Sequence, residues 1–431
     1  MSDVLFKNAT IVQESGIIVG TLAVRDGKIA YIGEESPCGY ENAHVIDGRA
    51  KVLMPGLVNT HVHVPMTLMR GYADDYDLDT WLKKHIFPIE DRMDERCVAA
   101  GSLLGMAEMI ASGTTSFSDS YFFSDQVAIA ANDCGIKANI GRALSNFDEK
   151  IDFDNFEAVK QMKKLRKDWH NADNGRIKID AAIHAEYTSS RSLWQPLGEY
   201  AYINNMVLQV HLSETKREHE ACIEKYGKTP TQLFNDEGVF RAKTIAAHCV
   251  WLTDDDIDIL NENGVSVAHN PVSNLKLASG VARIPLMLRR GVNVTLGTDG
   301  VASNNNFDMF EELKLSAILH KGIEHDPKTV PAAQALALAT VNGARAQGRA
   351  GECGELRVGL DADIVMIDMA RVNLVPCHNV VSNLVYSARG ADVCMTMVRG
   401  NILYENGAFT TIDIERVKDE IERYAIPHMF S

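Results

Sequence analysis

Residues 55–64 read "PGLVNTHVHV". The run is apolar enough for a buried strand, yet it ends on two histidines one residue apart, His61 and His63. In an extended chain residues i and i+2 share a face, roughly 6–7 Å apart. Two imidazoles so spaced can turn toward one small cation, since Zn–N bonds are about 2.0–2.1 Å long. With 14 histidines in 431 residues, chance supplies roughly half an H-x-H per chain. The pair must therefore be judged by its surroundings.

Working outward, the same texture recurs. Apolar runs of strand length stand at 57–64, 114–120 ("TTSFSDS"), 136–144 ("IKANIGRAL") and 177–185 ("IKIDAAIHA"). Four more follow at 206–214 ("MVLQVHLSE"), 244–250 ("TIAAHCV"), 264–271 ("GVSVAHNP") and 292–300 ("VNVTLGTDG"). Helix-periodic stretches such as "AAGSLLGMAEMIASG" and "FDMFEELKLSAILH" fill several of the gaps. Strands alternating with helices imply parallel βαβ units. Eight of them over about 290 residues match a TIM (β/α)8 barrel. An open doubly wound sheet ranks below it, because no glycine-rich phosphate loop follows the first strand.

The chain ends read differently. "DVLFKNATIV" and "GTLAVRDGKIAYIG" alternate apolar and polar residues, and Asp26-Gly27 is a hairpin turn. "ADIVMIDMA" (362–370) and "VCMTMVRGNILYENGAF" (393–409) repeat this texture, with turns at Arg399-Gly400 and Asn406-Gly407. We expect residues 1–56 and 352–431 to form one small β-sandwich domain, largely antiparallel, with a terminal helix over 413–426. Residues 57–351 form the barrel domain.

Bulk properties bound the function. A hydrophobic content of 46% and charged content of 23% are those of an ordinary globular protein. The net charge of −15 argues against nucleic acid or an anionic membrane, which attract clustered Lys and Arg. No apolar run approaches the roughly 20 residues of a membrane span. "MSDVLFKNATIV" lacks a basic segment followed by an apolar one, so no signal peptide is expected. Eight scattered cysteines without a C-x-x-C suit reduced thiols, and the expected location is the cytoplasm.

In a TIM barrel the chemistry sits at the C-terminal strand ends. Those ends carry His61 and His63, then His184, His211 with Glu214, His248, His269, and Asp299 in "LGTDG". Any one of these could be a satisfied core residue; their gathering on one rim favours a site. Three histidines and a carboxylate are a zinc-type donor set, and a position left to water makes such a site catalytic.

Several motifs make a resemblance specific. "PGLVNTHVHVPMTLMRG", "VHLSET", "AHCVWL", "HNPVSNLKLASG" and "LGTDGVASNNNFDMFEE" together resemble the amidohydrolase superfamily. Within it they are most similar to the methylthioadenosine/S-adenosylhomocysteine deaminase family, over nearly the whole chain. The resemblance implies one divalent ion, zinc first among candidates, on His61, His63, His211 and Asp299. Two-metal members carry a modified lysine at the end of strand four, where this sequence has His184. The ion would lower the pKa of bound water from about 15.7 toward about 7, with Asp299 accepting a proton. Glu214 would act as acid and base during hydroxide attack at purine C6 and loss of ammonia. His248 would orient the hydroxide. Read without the resemblance, Glu214 in "SETKRE" is equally a solvated helix-start residue.

The segment "LDTWLKKHIFPIEDR" resembles the family's substrate cover. There Glu90 would accept both ribose hydroxyls, and Trp81 would offer an apolar face. Arg142 and His184 would also touch the substrate. Trp81 and Glu90 are alternatively loop-packing and surface residues. Members that take S-adenosylhomocysteine well carry a second arginine shortly after the Arg142 position. Here "SNFDEKIDFDNFEA" (145–158) has none, so a small uncharged 5′ group is expected: methylthioadenosine, 5′-deoxyadenosine or adenosine. A small-molecule nucleoside partner and a homo-oligomer follow from the same resemblance. Two rivals stay open: a relative acting on a free base or triazine, and a non-enzymatic binding module.

Overall fold

A computed structural model of the chain describes residues 3–148 and 150–431. Five strands open it: β1 Val4–Gln13, β2 Gly16–Arg25, β3 Lys28–Gly33, β4 His44–Asp47 and β5 Lys51–Pro55. Eight form the barrel. They are β6 Leu57–Val62, β7 Thr114–Tyr121, β8 Lys137–Leu144, β9 Ile177–Ile183, β10 Leu208–Leu212, β11 Thr244–His248, β12 Ser266–His269 and β13 Asn293–Leu296. Four close the chain: β14 Ile364–Asp368, β15 Val393–Val398, β16 Asn401–Glu405 and β17 Ala408–Phe409.

Strands β6 to β13 follow one another in one sheet, each parallel to the next. Their residues are almost uniformly buried, as parallel strands covered on both faces must be. Between β13 and β6 no continuous ladder runs. The seam is bridged by the Asp299 N–H on His61 O (2.9 Å), the Thr298 N–H on Asn59 Oδ1 (3.1 Å) and the Thr60–Thr295 hydroxyl pair (2.6 Å). All eight barrel strands expected from the sequence are present. Most stop short of their expected C-terminal limits, because the chain turns sharply once its functional side chains have been delivered. Ser213, His248, Cys249 and Asp299 have φ of 48°, 70°, 50° and 64°, a region non-glycine residues rarely enter. Such backbone clusters at functional sites.

The chain ends build a separate nine-stranded sheet, ordered β17-β16-β15-β14-β5-β1-β2-β3 with β4 also on β1. It is mixed rather than uniformly antiparallel, since β1 pairs parallel with β4 and β5. Phe6, Ile11, Leu22, Ile29, Leu53, Ile364 and Met395 share its core. The three predicted turns have positive φ at both central residues: Asp26 and Gly27 (50°, 75°), Arg399 and Gly400 (47°, 78°), Asn406 and Gly407 (48°, 92°). That geometry matches the twist of hairpin strands. The terminal helix runs from Ile414 to Phe430 through a wider π turn, past its expected end at 426. Sheet and barrel meet at Lys137, which is 1% exposed and pairs with Asp361 (2.9 Å) and Asp363. No helix of the described residues is long and apolar enough to cross a membrane, and the eight cysteines are unpaired.

Candidate active site

A cavity of about 420 Å³ opens at the C-terminal ends of the barrel strands. His63, Glu90, Trp81, Arg142, His184, His211, Glu214, His248 and Asp299 all line it, and His61 lies buried beside them. His269 does not reach it. That ring turns away from the mouth and faces His320, Nε2 to Nε2 at 3.3 Å.

The imidazoles are fixed from behind. His63 Nδ1–H donates to the Ser120 carbonyl at 2.7 Å, and His211 Nδ1–H to the His184 carbonyl at 2.6 Å. A carbonyl can only accept, so each Nε2 carries a lone pair. Those two Nε2 atoms stand 3.2 Å apart. Among the described residues His61 Nε2 has no hydrogen-bond partner; Asp299 Oδ1 is 3.4 Å from it and 3.3 Å from His63 Nε2. Burial keeps the rings neutral, with His61 lowered to about 4 and His63 and His211 lowered as well. Burial would raise Asp299, but the facing His61, His248 and His63 outweigh it and hold the carboxyl well below the usual range. Lone pairs and a carboxylate converging at such distances repel one another, and a cation between them converts that repulsion into coordination. The donor set fits a divalent ion of zinc type.

Second contacts hold the reactive groups. Asp299 Oδ2 accepts from Ser273 Oγ (2.6 Å) and Ser303 Oγ (2.9 Å). His248 Nδ1–H donates to Asn274 Oδ1 at 2.8 Å, which turns Nε2 toward Glu214 Oε2, 3.7 Å away. Glu214 accepts from Ser279 Oγ at 3.1 Å. It is 5% exposed and precedes the helix Lys216–Tyr226, whose N-cap is Thr215. The alternative of a solvated helix-start residue is thereby overturned. Burial pushes Glu214 to about 7, partly offset by His248. His248 is raised above its ordinary value because Glu214 and Asp299 outweigh its own burial. A carboxyl held near 7 beside an imidazole raised above its ordinary value, 3.7 Å apart, suits proton transfer.

The far wall comes from helical residues 78–90. Trp81 is buried against the cavity. Glu90 Oε1 accepts from Tyr121 OH at 2.5 Å, and burial raises Glu90 to about 7. Glu90 is therefore no free surface carboxylate. Arg142 donates to Gln161 Oε1 (3.1 Å) and to the Ala143 carbonyl, and is the one lysine or arginine lining the cavity among the described residues. Of the acidic segment 145–158, Ser145, Phe147 and Ala158 reach the cavity; Glu149 lies outside the described residues.

Residues 52–403 match the model of the amidohydrolase family. The chain belongs to that family. This amidohydrolase is 46% identical, over 97% of each chain, to the 5′-deoxyadenosine deaminase of Methanosarcina acetivorans. It is 43% identical to the 5-methylthioadenosine/S-adenosylhomocysteine deaminase of Thermoanaerobacter pseudethanolicus, over 98% of each chain. Among solved structures, a zinc-bound adenosine deaminase from Xanthomonas campestris superposes with a TM-score of 0.92. It is 32% identical, covering 99% of this chain and 98% of that one.

Sequence reasoning assigned no role to Tyr121, Ser273, Asn274, Ser279, Ser303 or Glu218. Three of them stand in "HNPVSNLKLASG", a polar-rich stretch beyond a barrel strand. That signal marks a rim loop but names no partner atom.

Proposed function

We propose that this amidohydrolase deaminates an adenosine-type nucleoside at C6 by zinc-dependent hydrolysis, giving the inosine analogue and ammonia. The observation that carries the reading is Glu214: a buried carboxyl held near 7, facing His248 beside the convergent His61, His63 and His211, with Asp299 Oδ1 against His61 and His63. A single zinc ion would be held by His61, His63, His211 and Asp299, and when bound it acidifies water and polarises the ring. His184, whose Nδ1 is 2.9 Å from Thr188 Oγ1, occupies the place a second ion's lysine would need.

The chain's residues then divide the work. Asp299, steadied by two serine hydroxyls, takes a proton from the attacking water. His248, anchored on Asn274, aims its Nε2 at that water. Glu214 in its acid form protonates the purine ring nitrogen, lowering the cost of charge build-up as C6 becomes tetrahedral. Left as a carboxylate, Glu214 takes the proton of the new C6 hydroxyl and passes it to the amine, which leaves as ammonia; the proton held by Asp299 then restores the acid form of Glu214. Glu90 accepts the ribose hydroxyls, Trp81 covers the nucleoside, and Arg142 and His184 contact it. A carboxylate fixed by Tyr121 has no task in binding a free base, which favours the nucleoside.

Arg142 is the one lysine or arginine lining the cavity among the described residues, so a 5′ carboxylate would find no second cation and small uncharged 5′ groups are preferred. We take residues 57–351 as the catalytic domain and residues 1–56 with 352–431 as the β-domain. Unpaired cysteines support a reducing compartment, hence the cytoplasm; a homo-oligomer is what the family resemblance implies. The test is ammonia release from 5′-deoxyadenosine, methylthioadenosine, adenosine and S-adenosylhomocysteine, followed by loss of adenine absorbance. No release from any of them refutes the proposal; comparable kcat/KM for S-adenosylhomocysteine and methylthioadenosine refutes the 5′ preference.

A further inference from the structure

Beneath Glu214 lies a second buried acid that the reaction itself does not use. Glu218, 8% exposed, stands one turn into the helix Lys216–Tyr226. As the third helical residue it forms a capping box with Thr215, which requires it to accept only the Thr215 N–H. That bond is its longest, at 3.3 Å. Glu218 Oε1 accepts from the Ser213 N–H at 2.9 Å, and Oε2 from the Glu214 N–H at 2.8 Å. Three successive backbone donors thus converge on one carboxylate.

The stretch they belong to is the one that aims Glu214. Ser213 has φ of 48°, a left-handed turn that a serine adopts only when its surroundings impose it. Its carbonyl is also held, by the Val250 N–H (3.1 Å) and the Trp251 N–H (3.0 Å). Without an acceptor on the inner side, the Ser213 and Glu214 N–H groups would be buried and unpaired. Glu186, 3% exposed, is raised well above the usual carboxyl range by burial and by the charge of the neighbouring Glu218. Glu186 adjoins Tyr187 and Thr188 of the cavity wall, so Glu218 sits between the turn it holds after β10 and the turn after β9.

We propose that Glu218 is a positioning residue for Glu214, its two oxygens locking the left-handed turn that points the Glu214 side chain at the substrate. This rests on the reading of Glu214 as the proton carrier in deamination.

The test compares Glu218→Gln with Thr215→Ala in the zinc-loaded, full-length protein, on 5′-deoxyadenosine. Thr215→Ala removes the hydroxyl that accepts the Glu218 N–H at 3.2 Å, so it breaks the capping box and leaves the carboxylate in place. Glu218→Gln keeps one acceptor oxygen and sets an amide donor against the N–H of either Ser213 or Glu214. Expected for Glu218→Gln is a fall in kcat of about 100-fold, the effect of misplacing a reacting group by an ångström. KM and zinc content stay near wild type, and Thr215→Ala keeps kcat near wild type. Equal losses in the two variants, or unchanged kcat in Glu218→Gln, overturn the proposal. Should Glu218→Gln yield no soluble protein, Glu218→Asp keeps the charge but draws the oxygens back; kcat should then fall about tenfold at constant KM, and an unchanged kcat overturns it. Wild-type protein that releases no ammonia refutes the deaminase reading and the role of Glu218 with it.

Discussion

Glu90→Ala separates ribose recognition from mere packing. Glu90 spends one acceptor site on Tyr121 OH and keeps its remaining lone pairs for the cavity. A hydrogen bond to a charged group contributes about 1.5–3 kcal/mol, so two ribose hydroxyls give about 3–6 kcal/mol if fully dry. The cavity has an open mouth, and water replacing the carboxylate recovers part of this, which sets the expectation near the lower end, about 3 kcal/mol. At about 1.4 kcal/mol per decade that is roughly a 100-fold loss in kcat/KM on 5′-deoxyadenosine. The variant also strands Tyr121 OH, but that damage is the same whichever substrate is offered. The control is therefore the 2′,3′-dideoxy analogue, assayed in parallel by the fall in adenine absorbance at pH 8. On the analogue, Glu90→Ala should lose only the smaller, common part that comes from the stranded Tyr121 hydroxyl. Burial raises Glu90 to about 7, so the wild-type advantage on the hydroxylated substrate should grow as pH rises through 7 and the carboxylate forms. Equal losses on both substrates would mean that Glu90 acts through the fold, and the nucleoside reading would lose its main specificity argument.

Further outcomes follow from the same geometry. Glu214→Gln should lower kcat by about 10²–10⁴-fold with zinc content unchanged by metal analysis. Because its acid form is the active one and burial sets it at about 7, wild-type kcat should decline as pH rises above 7. A chelator should abolish ammonia release and added zinc should restore it; at about 100 times its Kd zinc should stabilise the fold by about 2.7 kcal/mol in thermal unfolding. Lys137→Met leaves Asp361 and Asp363 facing each other in a buried place. Removing one partner of such a pair costs about 3–5 kcal/mol, and since Lys28 and Arg399 still reach Asp361 the lower figure is expected, read as a shift in urea midpoint at constant m.

What the sequence determined by itself was the order and kind of the elements and the residue types at the strand ends. Alternating apolar runs and helical periods are local properties, and they specify eight βα units without reference to contacts. The hairpin dipeptides were equally legible, because positive φ at two successive positions is a demand that Asp-Gly, Arg-Gly and Asn-Gly meet locally. Only the tertiary structure decided which atoms meet. That His63 and His211 carry lone pairs on Nε2 depends on carbonyls of Ser120 and His184, on neighbouring strands. That Glu214 is a buried acid, and not the solvated start of a helix, depends on Ser279 from a distant loop and on the helix beginning one residue later. His269 shows the converse: its strand-end position matched the others, yet its ring faces His320. Proton affinity and ligand geometry are set by burial and by partners distant in sequence, and local pattern does not encode which partners those are.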